Sequence, residues 1–264
     1  MIWLAAYAAG GAVVGFLAGL LGIGGGMTMV PLLAALFTAQ GYSHDHIVHM
    51  ALATAMACAV FTSAAGAREH HRRRAVDWNV VKRMAPGMLV GTLAATLVTG
   101  WVPQQQLALA FAAIVYAASA QMALGKKPQA ARGLPGAPAL FGVGAAIGMA
   151  AGLVSAGGAF LSMPFMVFCG VPILTAIGTG AALSVPVSIM GSIGYGAAGW
   201  NVPGLPPYSV GFIYLPAVVA LSCTSVLTAP FGASLAHRMP IAILRRIFAL
   251  LLFTLATRML VSYW

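Results

Sequence analysis

Acidic residues are almost missing from this chain: Asp45, Glu69 and Asp77 are the three carboxylates in 264 residues, and all lie in or beside breaks between apolar runs. That scarcity excludes a buried Asp/Glu proton relay of the kind found in membrane pumps. Proton coupling, if present, must run through histidine or through the protonation state of a substrate. Charge of either sign is scarce too, at 6% of residues against 61% hydrophobic and a mean hydropathy of +0.96. So few polar groups cannot cover a soluble globule. Cys58, Cys169 and Cys223 sit far apart inside apolar stretches. They share no metal or redox spacing and read as packed thiols. The first residues, MIWLAAYAAGG, lack the basic start of a signal peptide and continue into a longer apolar run, so the segment is expected to be retained.

What the chain has in abundance is apolar length. Runs fall at about 2–21, 27–37, 47–66, 84–101 and 105–124, then at about 138–154, 160–169, 172–198, 209–234 and 241–261. A helix of about 20 apolar residues crosses a hydrocarbon core of about 30 Å, which allows roughly seven to ten segments and no soluble domain. Ala and Gly are frequent throughout, as in helices packed through small residues and unlike barrel strands. The fold class is an all-α polytopic membrane protein.

The net charge of +10 would suit nucleic acid if it were spread over a surface, but the basic residues, Arg258 apart, are confined to three clusters. These are Arg68 to Arg74 with Lys82 and Arg83, then Lys126, Lys127 and Arg132, then Arg238, Arg245 and Arg246. Short basic loops between apolar runs are the positive-inside signature, which excludes nucleic acid as a partner and places the protein in a cell inner (plasma) membrane with these loops cytoplasmic.

The two halves can be laid over each other. GFLAGLLGIGGGMTMVP, starting at Gly15, matches GMAAGLVSAGGAFLSMP, starting at Gly148, without a gap at an offset of 133. Gly15, Ala18, Gly19, Leu20, Gly24, Gly25 and Pro31 recur as Gly148, Ala151, Gly152, Leu153, Gly157, Gly158 and Pro164. Further on, Thr54, Ser63 and Gly66 correspond to Thr179, Ser188 and Gly191 at an offset of 125, Pro86 to Pro216 and Phe111 to Phe248. The expected organisation is a membrane repeat over 1–125, a basic cytoplasmic linker over 126–136 and a second repeat over 137–264, each with about four membrane segments.

Charge bears on how these segments cross. If both glycine-broken segments crossed fully, the loop near Arg238 would lie opposite the first two basic clusters. If each broken segment is a re-entrant hairpin, all three clusters become cytoplasmic and the halves are inverted. The N-terminus without basic residues, and Trp3, Tyr263 and Trp264 as an outer aromatic belt, fit the second version; the length of residues 2–21 fits the first.

Glycine in a helix interior costs about 1 kcal/mol relative to Ala, so Gly24, Gly25 and Gly26 direct the helix to unwind. Irregular backbone at membrane depth must line a polar cavity or bind something. The half-helices starting at Met27 and Phe160 would turn free N–H groups and positive dipole ends toward an anion. The substrate-binding candidates are Gly24, Gly25, Gly26, Met27 and Thr28 with Gly157, Gly158, Ala159 and Phe160. Thr54, Ser63, Thr179, Ser184 and Ser188 are candidate hydroxyl donors, although membrane Ser and Thr often bond their own helix instead. The competing reading is that the glycines only permit close packing.

His49, His70 and His71 are the proton-coupling candidates. SHDHIVH gathers His44, Asp45, His46 and His49 but matches no zinc signature and reads as an outer polar loop, so no metal and no cofactor is expected. Arg258 reads as a snorkelling residue. An enzyme would need a nucleophile and a base at membrane depth; Cys58 or Ser63 with His70 lack a third orienting group, and no enzyme is expected. Self-association is left open.

FLAGLLGIGGGMTMVPLL, the stretch from Thr54 to Ser63, AREHHRRRAVDW with its Asp77–Trp78 pair and the run through Pro86, Gly87 and Gly91 resemble the sulfite exporter TauE/SafE family over nearly the whole chain. The resemblance implies a four-plus-four duplication and export of sulfur-containing anions such as sulfite, sulfonates or sulfoacetate, linked to the proton gradient. An anion channel of the same architecture is the alternative.

Overall fold

The structure, a computed structural model, describes residues 2–21, 25–42, 44–124, 133–236, 250, 253–254, 256–257 and 260–261. The chain is helical almost throughout. α1 (Ile2–Leu21) and α2 (Gly26–Ala39) flank the first glycine cluster, and α3 (Ile47–Arg72), α4 (Trp78–Val98) and α5 (Gln104–Leu124) complete the first half. α6 (Ala137–Val154), α7 (Ala159–Phe168), α8 (Ile173–Ala198) and α9 (Leu215–Ala236) follow, with a two-residue antiparallel ribbon, β1 (Ser209–Val210) and β2 (Ile213–Tyr214), ahead of α9. Among the described residues six helices are long and apolar enough to cross a membrane: α1, α3, α4 with the turn after it, α6, α8 and α9. The protein is a multi-pass membrane protein. At 1.5 Å per residue, α2 and α7 reach only about 21 and about 15 Å, short of a bilayer core.

Contacts fix the direction of each helix. α2 turns back along α1: the Gln40 amide donates to the Tyr7 hydroxyl, Phe37 meets the Tyr7 ring edge-on at 6.5 Å, and Leu32 lies over Gly10. The two helices form an antiparallel hairpin whose tip is the glycine cluster. α3 starts at the open end of that hairpin, where His49 sits, and runs to the basic end at Arg72. α4 returns, because His49 Nε2 lies 3.1 Å from the carbonyls of both Thr99 and Val102.

The second half runs the other way. α8 starts at the basic end, where Thr179 Oγ1 accepts from Asp77 N at 2.9 Å, and finishes at the His49 end, where Gly199 packs on Phe212. α9 starts beside Thr54, whose hydroxyl accepts from Tyr214 N at 3.0 Å, and ends at the basic end, where Arg73 donates to Ser234 Oγ at 3.2 Å. The hairpin of α6 and α7 therefore opens toward the basic end, opposite to that of α1 and α2.

The closest packing joins α1 with α9 and α4 with α6, and glycine explains both interfaces. A Cβ on Gly15 would stand 2.4 Å from Ser225 Cα, one on Gly19 would stand 1.8 Å from Ala229 O, and one on Gly148 would stand 2.1 Å from Met88 O. Gly11 and Gly144 extend the two series by one more turn, against Leu221 and Met84. Each hairpin's first helix thus packs on the fourth main helix of the other half, through a Gly-x3-Gly-x3-Gly stripe that lets backbones touch. At Gly15, Gly19, Gly148 and Gly152 glycine serves close helix packing.

At the basic end Asp77 caps α4, its Oδ1 accepting from Asn79 N at 2.9 Å and Val80 N at 3.3 Å. Arg73 and Arg72 pair with Glu69 at 2.8 and 3.5 Å, and the Trp78 indole donates to His71 Nδ1 at 3.3 Å. At the other end Phe37, Tyr42 and Tyr214 close on one another with ring centroids 5.6 to 5.8 Å apart, and burial pushes the Tyr42 phenol above its ordinary range.

Candidate functional site

The two hairpin tips meet inside the protein. A Cβ on Gly26 would lie 1.6 Å from the Ser155 carbonyl oxygen, so only glycine permits the contact between the start of α2 and the end of α6. Gly25 and Gly158, matched in the repeat, both take left-handed conformations, at φ 78° and 84°. A side chain there would cost about 1–2 kcal/mol, which is why glycine stands at both positions. Ser155 (φ 52°) accepts that conformation with a Cβ in place, ending α6 just before the second tip.

Among the described residues, the first N–H groups of both short helices find no acceptor. In α7 the first available carbonyl, that of Gly158, takes Leu161 N at 3.3 Å and Ser162 N at 3.0 Å. The N–H groups of Ala159 and Phe160 then have no intrahelical acceptor, and no side chain caps the helix. α2 repeats this: Gly25 O takes Thr28 N at 3.2 Å and Met29 N at 3.0 Å, again without a side-chain cap.

Around the second tip the structure gathers hydroxyls. A Cβ on Gly157 would lie 2.9 Å from Ser184 Oγ and 3.5 Å from Ser188 Oγ, so α8 presents both serines to the tip backbone. Ser184 donates to Gly180 O at 3.0 Å, whereas the buried Ser188 hydroxyl makes no hydrogen bond. Ser155 Oγ, also fully buried, lies beside the Tyr195 hydroxyl, which itself donates to Gly152 O at 2.7 Å. Among the described residues no Lys, Arg, Asp or Glu is buried, so the described surroundings of the tips are neutral dipoles.

The sequence candidates divide by place. Gly25, Gly26, Thr28, Gly157, Gly158, Ala159, Phe160 and Ser188 lie at the tips or against them; Met27 occupies the first turn of α2, and Gly24 lies outside the described residues. The Thr28 hydroxyl donates to Gly25 O at 2.9 Å and so helps to close the first tip on itself. Ser63 donates to Ala59 O of its own helix at 2.5 Å. Thr54 and Thr179 use their hydroxyls to accept the N–H of Tyr214 and Asp77, tying α3 and α8 to the entries of α9 and α4.

The histidines sit away from the tips. His49 is held by two carbonyls and stacked on Phe212 at 5.0 Å; His70 is buried near the basic end, and His71 meets Trp78 there. Arg258 lies outside the described residues. Ser155 and Tyr195 were not singled out by sequence. Ser155 was readable as the residue immediately before Ala-Gly-Gly, and Tyr195 as the residue seven after Ser188, on the same face of its helix.

A helical membrane protein in which two broken hairpins meet tip to tip, with unbonded N–H groups, has the architecture of a membrane transporter. Comparison carries this to a family: the model of the sulfite exporter TauE/SafE family matches residues 7–259, and the chain belongs to that family. It is similar to a probable membrane transporter protein of Haemophilus influenzae, 35% identical over 251 residues that cover 94% of this chain and 95% of the relative. It is also similar to the probable membrane transporter protein YdhB of Bacillus subtilis, 24% identical over 239 residues that cover 88% of this chain and 89% of the relative. No solved structure matches.

Proposed function

We propose that this membrane transporter exports small sulfur-containing oxyanions, such as sulfite or organosulfonates, across a cell inner membrane, binding them where the two glycine breaks meet. The observation that carries the reading is the apposition of Gly26 and Ser155 at the ends of hairpins that open in opposite directions. Helix N-termini with unbonded N–H groups hold anions without a buried cation. The opposed directions of the halves support inverted repeats with re-entrant broken segments, and the basic end, rich in arginine, would face the cytoplasm. Rocking one repeat against the other would expose the site to each side in turn.

The tight contact between the tips favours a transporter over a channel, since a channel needs an open path past this point. Carboxylates are not available at the tips, and His49 is pinned elsewhere, so protons would travel on the substrate. Leucine in place of Gly25 or Gly158 forces a side chain into left-handed backbone at the tip. Each variant should insert in the membrane and fold, yet lose at least about 90% of sulfite flux in proteoliposomes, the tenfold loss that about 1.4 kcal/mol of weaker binding produces. Wild-type flux in both would remove the tips as the site.

A further inference from the structure

Resting on the reading just given, we infer that the oxyanion is held by the second hairpin tip in particular, through the α7 N-terminus and the hydroxyls of Ser188 and Ser155, and that it carries a single negative charge. The two tips are alike in backbone but not in side chains. At the first, the Thr28 hydroxyl is committed to Gly25 O, and the walls beside Gly25 are Val14 and Ala18, 3.0 to 3.3 Å from where its Cβ would be.

At the second, Ser188 Oγ is fully buried with no hydrogen bond, within 3.5 Å of where a Cβ of Gly157 would stand. A buried hydroxyl without a partner is destabilising, and so are free N–H groups at a buried helix start. Ser188, which faces Gly157, Ser155, which ends α6 just before the tip, and the N–H groups of Ala159 and Phe160 are the donors that an anion with several oxygens would satisfy here. Those groups are donors, which suits a head with several acceptor oxygens.

Charge follows from the described residues that surround the tip. The groups on α6, α7 and α8 that face it are serines, glycines and apolar side chains, with the phenol of Tyr195 as the titratable neighbour; α4 contributes Met88 and Thr92. Neutral dipoles can support one buried negative charge, but the desolvation penalty rises with the square of the charge and falls much harder on a dianion. Hydrogensulfite and alkylsulfonates meet this condition and sulfate does not.

Thermal unfolding of the purified full-length protein, titrated with sulfite, methanesulfonate and sulfate, tests the inference. Wild type should be stabilised by the first two and far less by sulfate. Ser188→Ala removes an unsatisfied hydroxyl, so it should be at least as stable as wild type without ligand, yet bind methanesulfonate about tenfold or more weakly, the loss typical of a hydrogen bond to a charged group. Ser155→Ala should also bind more weakly. Ser222→Ala, which removes a buried hydroxyl of α9, should bind like wild type.

Unchanged affinity in Ser188→Ala and Ser155→Ala, or sulfate binding as tightly as methanesulfonate, would overturn this inference and leave the anion transporter standing. Failure of all three anions to stabilise wild type would overturn both.

Discussion

At the scale of single residues, the decisive positions are those where a backbone needs glycine or a hydroxyl replaces an absent charge. Gly25 and Gly158 hold the tips in left-handed conformations, and Asp77 caps α4. Asp77→Ala should lower stability by about 1 kcal/mol through loss of the α4 cap, read as a drop in melting temperature with transport retained in the folded fraction. The repeat made Thr54 and Thr179 visible as a pair, but not their work. Each accepts a backbone N–H from a residue more than 100 positions away, Tyr214 or Asp77, and no local pattern announces so distant a partner. Ser63 and Ser188 were an equally good pair in sequence, and only the fold separates them: one bonds its own helix, the other faces a tip.

At the scale of elements, the same residue type does two jobs. The glycines before each break form the stripes that let α1 lie on α9 and α6 on α4, whereas the glycines of the break itself bend the chain. Ala at Gly15 or Gly148 would press a methyl group into a neighbouring backbone, costing about 1–3 kcal/mol and lowering the yield of folded protein in detergent. Gly142→Ala, on an open face of α6 with nothing within 4 Å, should be neutral or slightly stabilising. Existence and type of every long helix among the described residues were legible because apolar runs of membrane length admit little else, while most of the run at 241–261 lies outside the described residues. Which glycines pack and which bend was not, since both appear as glycine in an apolar run; the stripes become separable once the four-residue spacing of Gly11, Gly15 and Gly19 is set against that of Gly144, Gly148 and Gly152.

At the scale of the whole molecule, the described helices of the two halves run in opposite directions and exchange partners, so each hairpin is clasped by a helix of the other half. Single cysteines at Arg74 and at Gly204, in a background without Cys58, Cys169 and Cys223, should react with an impermeant maleimide from opposite sides of the membrane, Arg74 from the cytoplasm. Labelling of both from one side would contradict the helix directions. The charge census favours the proposed inverted arrangement because basic loops mark one membrane face; what it could not carry was the meeting of the tips, which depends on the contact of Gly26 with Ser155 across more than 100 residues. Substrate and coupling converge on one measurement. Radiolabelled sulfite should accumulate in sealed proteoliposomes against its gradient when a pH step is imposed at clamped potential, and should equilibrate only when the step is absent. Equal, purely downhill flux with and without the pH step, or no flux of sulfite or methanesulfonate at all, would contradict a proton-linked sulfur oxyanion transporter.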